Sequence, residues 1–283
     1  MSTSAVLAAR TYYPKQVFEL AALKPRESDA WSLGEYPVFG ATLQIAAENL
    51  CEALDLRAGS TVLDVASGGG NASIAAARRW CVVAAVDSVA SHLDKARERA
   101  SANGMDIAFR EARPEALPFA DASFDFVISS FGVMHASDQG RAVEEMFRIC
   151  KAGGAIGLTH WTSDGFIGQV FEAIGEYYSG STGEQFVSPC AMVDMAEGTF
   201  QALGASVVST PRDFVLRYRS PRHWLGVFRE VYGPVVKAFD ALSLGDRAAL
   251  GARLIALAKQ FNRASDGSMV VPSAYLETVV RKR

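Results

Sequence analysis

Short apolar runs alternate with amphipathic segments through the middle of the chain. The strand-like runs lie at 61–66, 81–87, 106–110, 124–129 and 154–160. The segments between them that have a helical period lie at 72–79, 89–102 and 138–150. Strands that alternate with helices build a parallel sheet with helices on both faces. The pattern therefore predicts an α/β fold of the doubly wound, Rossmann-like type.

The regions on either side follow different patterns. Phe39 to Leu54 has the apolar spacing of an amphipathic helix, which predicts an N-terminal helical extension over residues 1–57. Beyond the fifth strand, the sequence favours helices at 166–178 and 191–203, and strands at 205–209, 213–218 and 273–281.

A long helical stretch separates the last two predicted strands. It runs from Pro221 to Ala264, with breaks at Gly233-Pro234 and near 243–246. An insertion at this place can cover the carboxyl edge of the sheet. We therefore predict a helical lid over the substrate site at 221–267, and a cofactor-binding domain at 58–220 that the segment 268–283 completes.

Charge and composition narrow the range of partners. The chain of 283 residues has a formal net charge of −3, which argues against an electrostatic footprint for nucleic acid. It has no apolar run of roughly 18 residues, so no membrane span is expected, and it begins without the basic segment of a secretory signal. The four cysteines are scattered without the spacing of metal ligands, which fits a reducing cytosol. We expect a cytoplasmic protein that acts on a small molecule, with no metal and with the oligomeric state open, a homodimer among the alternatives.

The most informative stretch is a glycine triplet that follows an apolar run. The run at 62–65 precedes Gly68-Gly69-Gly70, and a helical segment begins directly afterwards. In this strand–turn–helix order, glycine lets the turn adopt positive φ and approach a ligand closely. The next apolar run ends at Asp87, where an acidic residue accepts hydrogen bonds from ribose hydroxyls. The two features together predict a cofactor that contains a nucleoside.

Two further positions bear on the kind of cofactor. A dinucleotide-binding loop has Gly or Ala at its third small position, whereas here that position is Ser73. Asp64 lies within the first strand, where a carboxylate aimed at the crevice would repel a diphosphate and attract a cation. Alternatively, turn amides satisfy the Asp64 side chain. A phosphate-free adenosine with a positive charge is S-adenosylmethionine.

Four sequence blocks carry a resemblance to a known family. They are 62–71, 82–88, 115–135 and 151–158. In these blocks the chain resembles the class I S-adenosylmethionine-dependent methyltransferases, in the branch that includes the ubiquinone/menaquinone-biosynthesis C-methyltransferases. The resemblance implies a mostly parallel, seven-stranded sheet and S-adenosylmethionine as the cofactor.

The resemblance also implies which residues contact this cofactor. Gly68 and Gly70 would leave room for its methionine part, and Asp64 would lie near its amino group. Asp87 would bind the ribose hydroxyls, and Glu115 would either lie near the adenine or be a solvated turn carboxylate. The implied contacts are Asp64, Ala66, Ser67, Gly68, Gly70, Asn71, Asp87, Ser88, Pro114, Glu115, Ser130 and Phe131.

Arg113 departs from the family pattern. The family usually has an Asp at this position, which accepts a hydrogen bond from the adenine amine, whereas arginine can only donate. We therefore expect the backbone, Glu111 or Glu115 to recognise the adenine.

Histidines stand at the predicted carboxyl edge of the sheet. His135 comes just after the fourth strand, where the family often has His, and His160 ends the fifth. Either is a candidate catalytic base, and either could instead hydrogen-bond within the fold. His92 and His223 lie in helical segments and are expected at the surface.

Aromatic side chains predict an apolar substrate pocket. The candidates are Tyr36, Trp161, Phe166, Trp224, Phe228 and Tyr232. Aromatic residues at helical spacing, such as Trp224 and Phe228, also pack in ordinary cores. The sequence after the fourth strand lacks the Asn/Asp-Pro-Pro-Tyr of base- and amide-methylating enzymes, which favours a small-molecule acceptor.

We therefore expect a methyltransferase that acts by in-line displacement on a small, largely apolar acceptor, such as an aromatic secondary metabolite. The acceptor atom, O, N or C, stays open. A second hypothesis, favoured by Arg113, is a protein that binds the cofactor without transferring methyl, as a non-methylating enzyme or a regulatory module. A third, a nicotinamide-dependent oxidoreductase, is disfavoured by Ser73 and Asp64.

Overall fold

A mixed β-sheet organises the chain. The computed structural model describes residues 36–182 and 188–283, and within these ranges a seven-stranded sheet has the order β3-β2-β1-β4-β5-β7-β6. The strands are β1 Thr61–Val65, β2 Val82–Asp87, β3 Ile107–Glu111, β4 Phe124–Ser130, β5 Cys150–Trp161, β6 Ser206–Tyr218 and β7 Met269–Arg281. Strands β1 to β5 pair in parallel, and β7 is antiparallel to both β5 and β6. The predicted fold class and the mostly parallel seven-stranded sheet are confirmed.

Helices cover both faces of this sheet. They are α1 Tyr36–Thr42, α2 Gln44–Ala53, α3 Asn71–Arg78, α4 Ala90–Ala102, α5 Gln139–Ile149, α6 Phe166–Thr182, α7 Met192–Ala202, α8 Pro221–Val231, α9 Gly233–Ala241 and α10 Leu244–Phe261. Successive residues of a strand point to opposite faces. Val62 accordingly packs in a core with Leu50 of α2 and Ile74 of α3, whereas Leu63 belongs to a second core with Met146 of α5.

The N-terminal helical region differs from the prediction. In place of one helix over 39–54, α1 and α2 are separated at Leu43, whose N–H donates to the Gly40 carbonyl at 2.8 Å. Residues 1–35 of the predicted extension lie outside the described residues.

Strand β6 corrects a second prediction. The sequence predicted separate strands at 205–209 and 213–218, and Pro211, which lacks an N–H for sheet pairing, lies between them. The structure has one continuous strand in which Pro211 pairs with Leu276 of β7. β6 is the outermost strand of the sheet, so its second edge has no ladder that requires a proline N–H.

The helices α8, α9 and α10 form an insertion between β6 and β7. The predicted breaks are confirmed: α9 begins at Gly233, and α10 follows Ser243, whose hydroxyl accepts from the Asp246 N–H at 3.1 Å. Tyr218 at the end of β6 pairs with Met269 at the start of β7. Because β6 runs parallel to β1–β5, the insertion leaves and rejoins the sheet on the side where those strands have their carboxyl ends.

Candidate active site

The loop between β1 and α3 gives the site its shape. Ala66, Gly68 and Gly70 all have positive φ, at 54°, 52° and 79°. Gly70 is the residue immediately before α3, in a left-handed conformation that glycine adopts at little cost. The loop turns sharply enough that Ser67 N–H still donates to the Val86 carbonyl of β2 at 2.9 Å. The backbone of this loop is therefore fixed by the sheet itself.

Asp64 is buried at the end of β1. Its Oδ2 accepts from the backbone N–H of Ser73 at 2.8 Å and from the Ser73 hydroxyl at 2.5 Å. Its Oδ1 is buried and has no hydrogen-bond partner among the described residues. Burial raises the pKa of Asp64 to about 7, partly offset by the Ser73 hydrogen bonds. Turn contacts thus account for one carboxylate oxygen and leave the other for a ligand.

Asp87 lies at the end of β2 and braces the same loop. Its Oδ2 accepts from Gly68 N–H at 2.8 Å, and its Oδ1 accepts from Val89 N–H at 2.9 Å. The side chain is buried, yet it lines a cavity. A carboxylate has about four lone-pair sites, so Asp87 keeps acceptor capacity for ligand hydroxyls.

His92 is a site residue that the sequence prediction missed. It was expected at the surface, but its residue is only 5% exposed and lines the same cavity as Asp87. The Nδ1 atom lies 3.5 Å from Asp87 Oδ1. The signal was present in α4, where His92, Leu93, Ala96 and Ala100 share one buried face. Position 92 therefore belongs to the face that turns back toward the end of β2.

Two cavities meet at the glycine loop and together form the cleft. Of the predicted cofactor contacts, those that line the larger cavity, of about 120 Å³, are Ala66, Gly68, Asp87, Ser88, Pro114, Glu115 and Phe131. Those that line the smaller cavity, of about 20 Å³, are Asp64, Ala66, Ser67, Asn71 and Ser130. Gly70 lines neither and lies against Ala96 instead.

Tyr36 of α1 lies at the junction of these cavities. Its side chain lines both, and a Cβ added at Gly68 would lie 3.0 Å from Tyr36 Cε1. A ligand that spans the two cavities therefore contacts this ring or displaces it.

The far end of the larger cavity holds Arg113 and Glu115. Glu115 Oε1 accepts from the backbone N–H groups of Ser137 at 2.9 Å and Asp138 at 3.3 Å, while its Oε2 lies 3.3 Å from Arg113 Nε. Glu115 thus braces the loop after β4 and also forms part of the wall. Arg113 lies beside it, with a side chain that is still 40% exposed.

The loop after β4 approaches the glycine loop closely. Phe131 has φ 55°, and its N–H donates to the Thr159 carbonyl of β5 at 3.0 Å. A Cβ added at Gly132 would lie 2.8 Å from Ala66 Cβ and closer still to the Ala66 carbonyl oxygen. Only glycine fits between the two loops at this point.

His135 ends the short 3₁₀ turn Val133–His135 and lines the larger cavity. Burial lowers its pKa to about 3, so the imidazole is neutral at physiological pH. Its Nε2 lies 3.1 Å from the hydroxyl of Tyr232, which belongs to the insertion. The structure therefore brings His135 to the site and gives it a partner from a distant segment.

The other predicted catalytic histidine, His160, does not reach the cleft. It is 1% exposed and lines neither cavity. Its ring nitrogens have no hydrogen-bond partner among the described residues, and burial lowers its pKa to about 4. A catalytic role for His160 stays a prediction.

Three predicted substrate contacts lie within the packed core. Trp161 stacks on Phe131 with centroids 4.2 Å apart, and Phe166 packs on Trp224 at 5.1 Å. Trp161, Phe166 and Trp224 are each at most 1% exposed and line neither cavity. Of the predicted aromatic set, Tyr36 is the residue that the structure brings to the cleft.

The residues of the two cavities fit a phosphate-free adenosine that carries an amino acid. The buried Asp64 Oδ1 and Ser67 Oγ lack partners among the described residues, as groups do when a ligand completes their hydrogen bonds. Asp87 and Asp64 together disfavour a diphosphate in the same place.

No helix in the described ranges is long and apolar enough to cross a membrane.

Comparisons with known proteins agree with this geometry. A family model described as a methyltransferase domain matches residues 62–154. An uncharacterized protein of Mycobacterium tuberculosis is 34% identical over 262 residues, which make up 89% of this chain and 93% of the relative. The demethylmenaquinone methyltransferase of Deinococcus radiodurans is 33% identical over 154 residues, or 53% of this chain and 61% of that enzyme.

The fold also matches solved structures. The YcgJ protein of Bacillus subtilis superimposes with a TM-score of 0.58 at 18% identity, over 86% of this chain and 99% of that one. A structural likeness at 18% identity shows the fold alone. The family is inferred from the sequence matches.

Proposed function

Because the chain belongs to the class I S-adenosylmethionine-dependent methyltransferases, we propose that it transfers a methyl group to a small, largely apolar acceptor. This membership confirms the resemblance that the four sequence blocks predicted. When bound, S-adenosylmethionine supplies a methyl group on a positively charged sulfur. The acceptor class and the residue roles go beyond the membership and rest on the geometry of the cleft.

The observation that supports the proposal most directly is the placement of two buried carboxylates on either side of the glycine loop. Asp87 lines the larger cavity and would accept from the ribose hydroxyls. Asp64 lines the smaller one, where its unpartnered Oδ1 suits the ammonium of the methionine part. The Ser67 hydroxyl beside it can donate to the carboxylate of the same ligand.

The adenine would lie at the Arg113 end of the larger cavity. Pro114 offers an apolar surface there, and Arg113 is held by Glu115 and Ser137. Since arginine can only donate, it suits a ring nitrogen of the base and not its amine. Recognition of the amine would then fall to a backbone carbonyl or to Glu115.

The methyl acceptor would enter beside Tyr36, Phe131 and His135. These side chains are neutral, because burial raises the pKa of Tyr36 well above its usual range and lowers that of His135 to about 3. A wall without charge favours an apolar substrate and excludes water from the reacting atoms. Orientation of two reactants in such a site can supply about 7–11 kcal/mol of the barrier lowering.

We assign His135 the role of accepting a hydrogen bond from an O–H or N–H of the methyl acceptor. A ring with so low a pKa is a weak base, so its contribution is to orient the nucleophile. Acceptors that are nucleophilic without full deprotonation, such as phenols, hydroquinones and electron-rich ring carbons, fit this site best.

Two measurements test the proposal. Isothermal titration calorimetry should detect binding of S-adenosylhomocysteine but not of NADH. Incubation with methyl-labelled S-adenosylmethionine and a panel of phenols, hydroquinones and indoles should give a labelled small molecule.

The matched control for both is the Asp87→Ala variant, which should lose binding and product together. Tight binding of the homocysteine form without product from the panel or from cell extract would support a non-methylating role. Binding of NADH in its place would overturn the cofactor assignment.

A further inference from the structure

Tyr232 connects the insertion to the cleft. It lies between α8 and α9, at the break before Gly233-Pro234, and it is 2% exposed. Its hydroxyl lies 3.1 Å from His135 Nε2. His135 follows β4, so this hydrogen bond joins the insertion to the loop at the carboxyl end of β4.

The Tyr232 ring is held from several directions. It stacks on Phe228 with centroids 4.6 Å apart and an interplanar angle of 16°. Phe39 contacts it edge-on at 5.5 Å, and Tyr36 does so at 5.8 Å. A ring packed in this way has one available orientation, which points its hydroxyl at His135.

The His135 ring has fewer described aromatic contacts of its own. It packs edge-on against Phe171 at 6.0 Å and against Tyr232 at 6.2 Å. A tyrosine hydroxyl can donate or accept, so the roles in this bond follow from the proposed function. For Nδ1 of His135 to accept from the methyl acceptor, Nε2 must carry the proton and donate to the Tyr232 hydroxyl oxygen. Both side chains are neutral, because burial raises the pKa of Tyr232 and lowers that of His135.

We propose that Tyr232 is a positioning residue for the transfer reaction: through its hydroxyl it holds the His135 ring, and the tautomer of that ring, in the state that contacts the methyl acceptor. This inference rests on the proposed function and extends it to the insertion. The insertion thereby sets the geometry of a residue that, under the proposed function, contacts the methyl acceptor.

The test compares Tyr232→Phe with Tyr218→Phe in the full chain. Tyr218 is a half-buried tyrosine at the end of β6, whose ring packs near His223 rather than His135. Nitrogen NMR of the histidine rings reports tautomers, and the chain has four histidines. The His135 signals are assigned by their absence in His135→Gln.

In the wild type and in Tyr218→Phe, His135 should show a single tautomer. In Tyr232→Phe it should show a mixture, while S-adenosylhomocysteine affinity stays within about twofold. A packing variant, Phe228→Leu, keeps the hydroxyl and should keep the single tautomer. Unchanged His135 signals in Tyr232→Phe would overturn the proposal, and this readout needs no methyl acceptor.

The second measurement is the turnover of whichever panel compound is methylated. Tyr232→Phe should lower kcat by about 3- to 10-fold with KM nearly unchanged, which corresponds to the loss of one neutral hydrogen bond. In a His135→Gln background the same change should have no further effect. An equal loss in both backgrounds would contradict the positioning role, whereas a chain that methylates nothing would contradict the proposed function and leave the NMR arm to decide on Tyr232.

Discussion

The two sides of the cleft are built in different ways. On the cofactor side, Asp64 and Asp87 are held by backbone N–H groups of Ser73 and Gly68, and all four residues belong to the β1–α3–β2 unit. On the substrate side, Tyr36, His135 and Tyr232 come from three segments that are far apart in the chain. The first side is polar and local, and the second is aromatic and assembled by tertiary packing.

The two sides also differ in how far the family match covers them. The match to the methyltransferase domain covers residues 62–154 and therefore contains the polar side. Tyr36 and Tyr232 lie outside the matched range. Under the proposed function, cofactor binding would therefore rest on the matched domain, whereas the surroundings of His135 also depend on α1 and the insertion.

The largest expected effect is on the aromatic side. Phe228 is fully buried and contacts Phe39, Trp224 and Tyr232, so Phe228→Ala should lower the free energy of unfolding by about 3–5 kcal/mol. Urea denaturation measures this change. Leu244→Ala, at a side chain 84% exposed, is the control and should change stability by less than about 0.5 kcal/mol. A loss below about 1 kcal/mol for Phe228→Ala would mean that the aromatic cluster does not support the fold.

On the polar side, Asp87→Ala should affect binding above all. It removes the side chain that, under the proposed function, accepts from two ribose hydroxyls, and hydrogen bonds to charged groups contribute about 1.5–3 kcal/mol each. Affinity for S-adenosylhomocysteine, measured by calorimetry, should therefore fall by about 100-fold or more. Asp94→Ala removes an exposed carboxylate from the outer surface of α4 and should leave affinity unchanged. Equal affinity in wild type and Asp87→Ala would remove the ribose assignment.

The contact between the two loops gives a smaller effect. Gly132→Ala places a methyl group against Ala66 and should cost about 1–3 kcal/mol of stability. Gly226 lies inside α8 with nothing within 4 Å of an added Cβ, so Gly226→Ala should stabilise by about 0.5–1 kcal/mol. Opposite signs in thermal unfolding would distinguish close packing at the cleft from spare room in the insertion. A neutral Gly132→Ala would show that the loops can separate.

The smallest expected effect is the pH dependence of binding. Burial raises the pKa of Asp64 to about 7, and a ligand ammonium favours the ionised form. The dissociation constant of S-adenosylhomocysteine should therefore rise about tenfold from pH 8 to pH 6, and Asp64→Asn should abolish this dependence. A wild-type profile as flat as that of Asp64→Asn would exclude Asp64 as the ammonium partner.

The same pKa sets how the stability of the ligand-free protein depends on pH. Because the folded value lies above the unfolded 3.8, the protonated carboxyl contributes stability below about pH 4. That contribution is lost as the pH rises through 7. The free energy of unfolding of Asp64→Asn should not show this fall.

The sequence predicted the polar side well because its geometry is local. Asp87 follows directly from the end of an apolar run, and the positive φ of Gly68 and Gly70 follows from a turn between strand and helix. His92 was missed because the prediction placed this one side chain at the surface, although the apolar spacing of α4 includes position 92.

The aromatic side could not be predicted in the same way. Trp161 was expected in the cleft because it ends β5 on the productive edge, yet its side chain stacks inward on Phe131. Periodicity locates an aromatic residue on an element but does not say which cavity or core it faces. Tyr232 belonged to the aromatic set expected around a substrate, but its pairing with His135 could not be predicted because the two residues lie far apart in the sequence.

Tyr218 and Met269 are direct partners in the β6–β7 ladder, so the segment 219–268 leaves and rejoins the sheet at a single rung. The length and content of this segment therefore place no demand on strand register. A segment of another size can replace it without shifting β6 against β7. Under the proposed function, such a replacement would change the partner of His135 and leave the matched domain over residues 62–154 as it is.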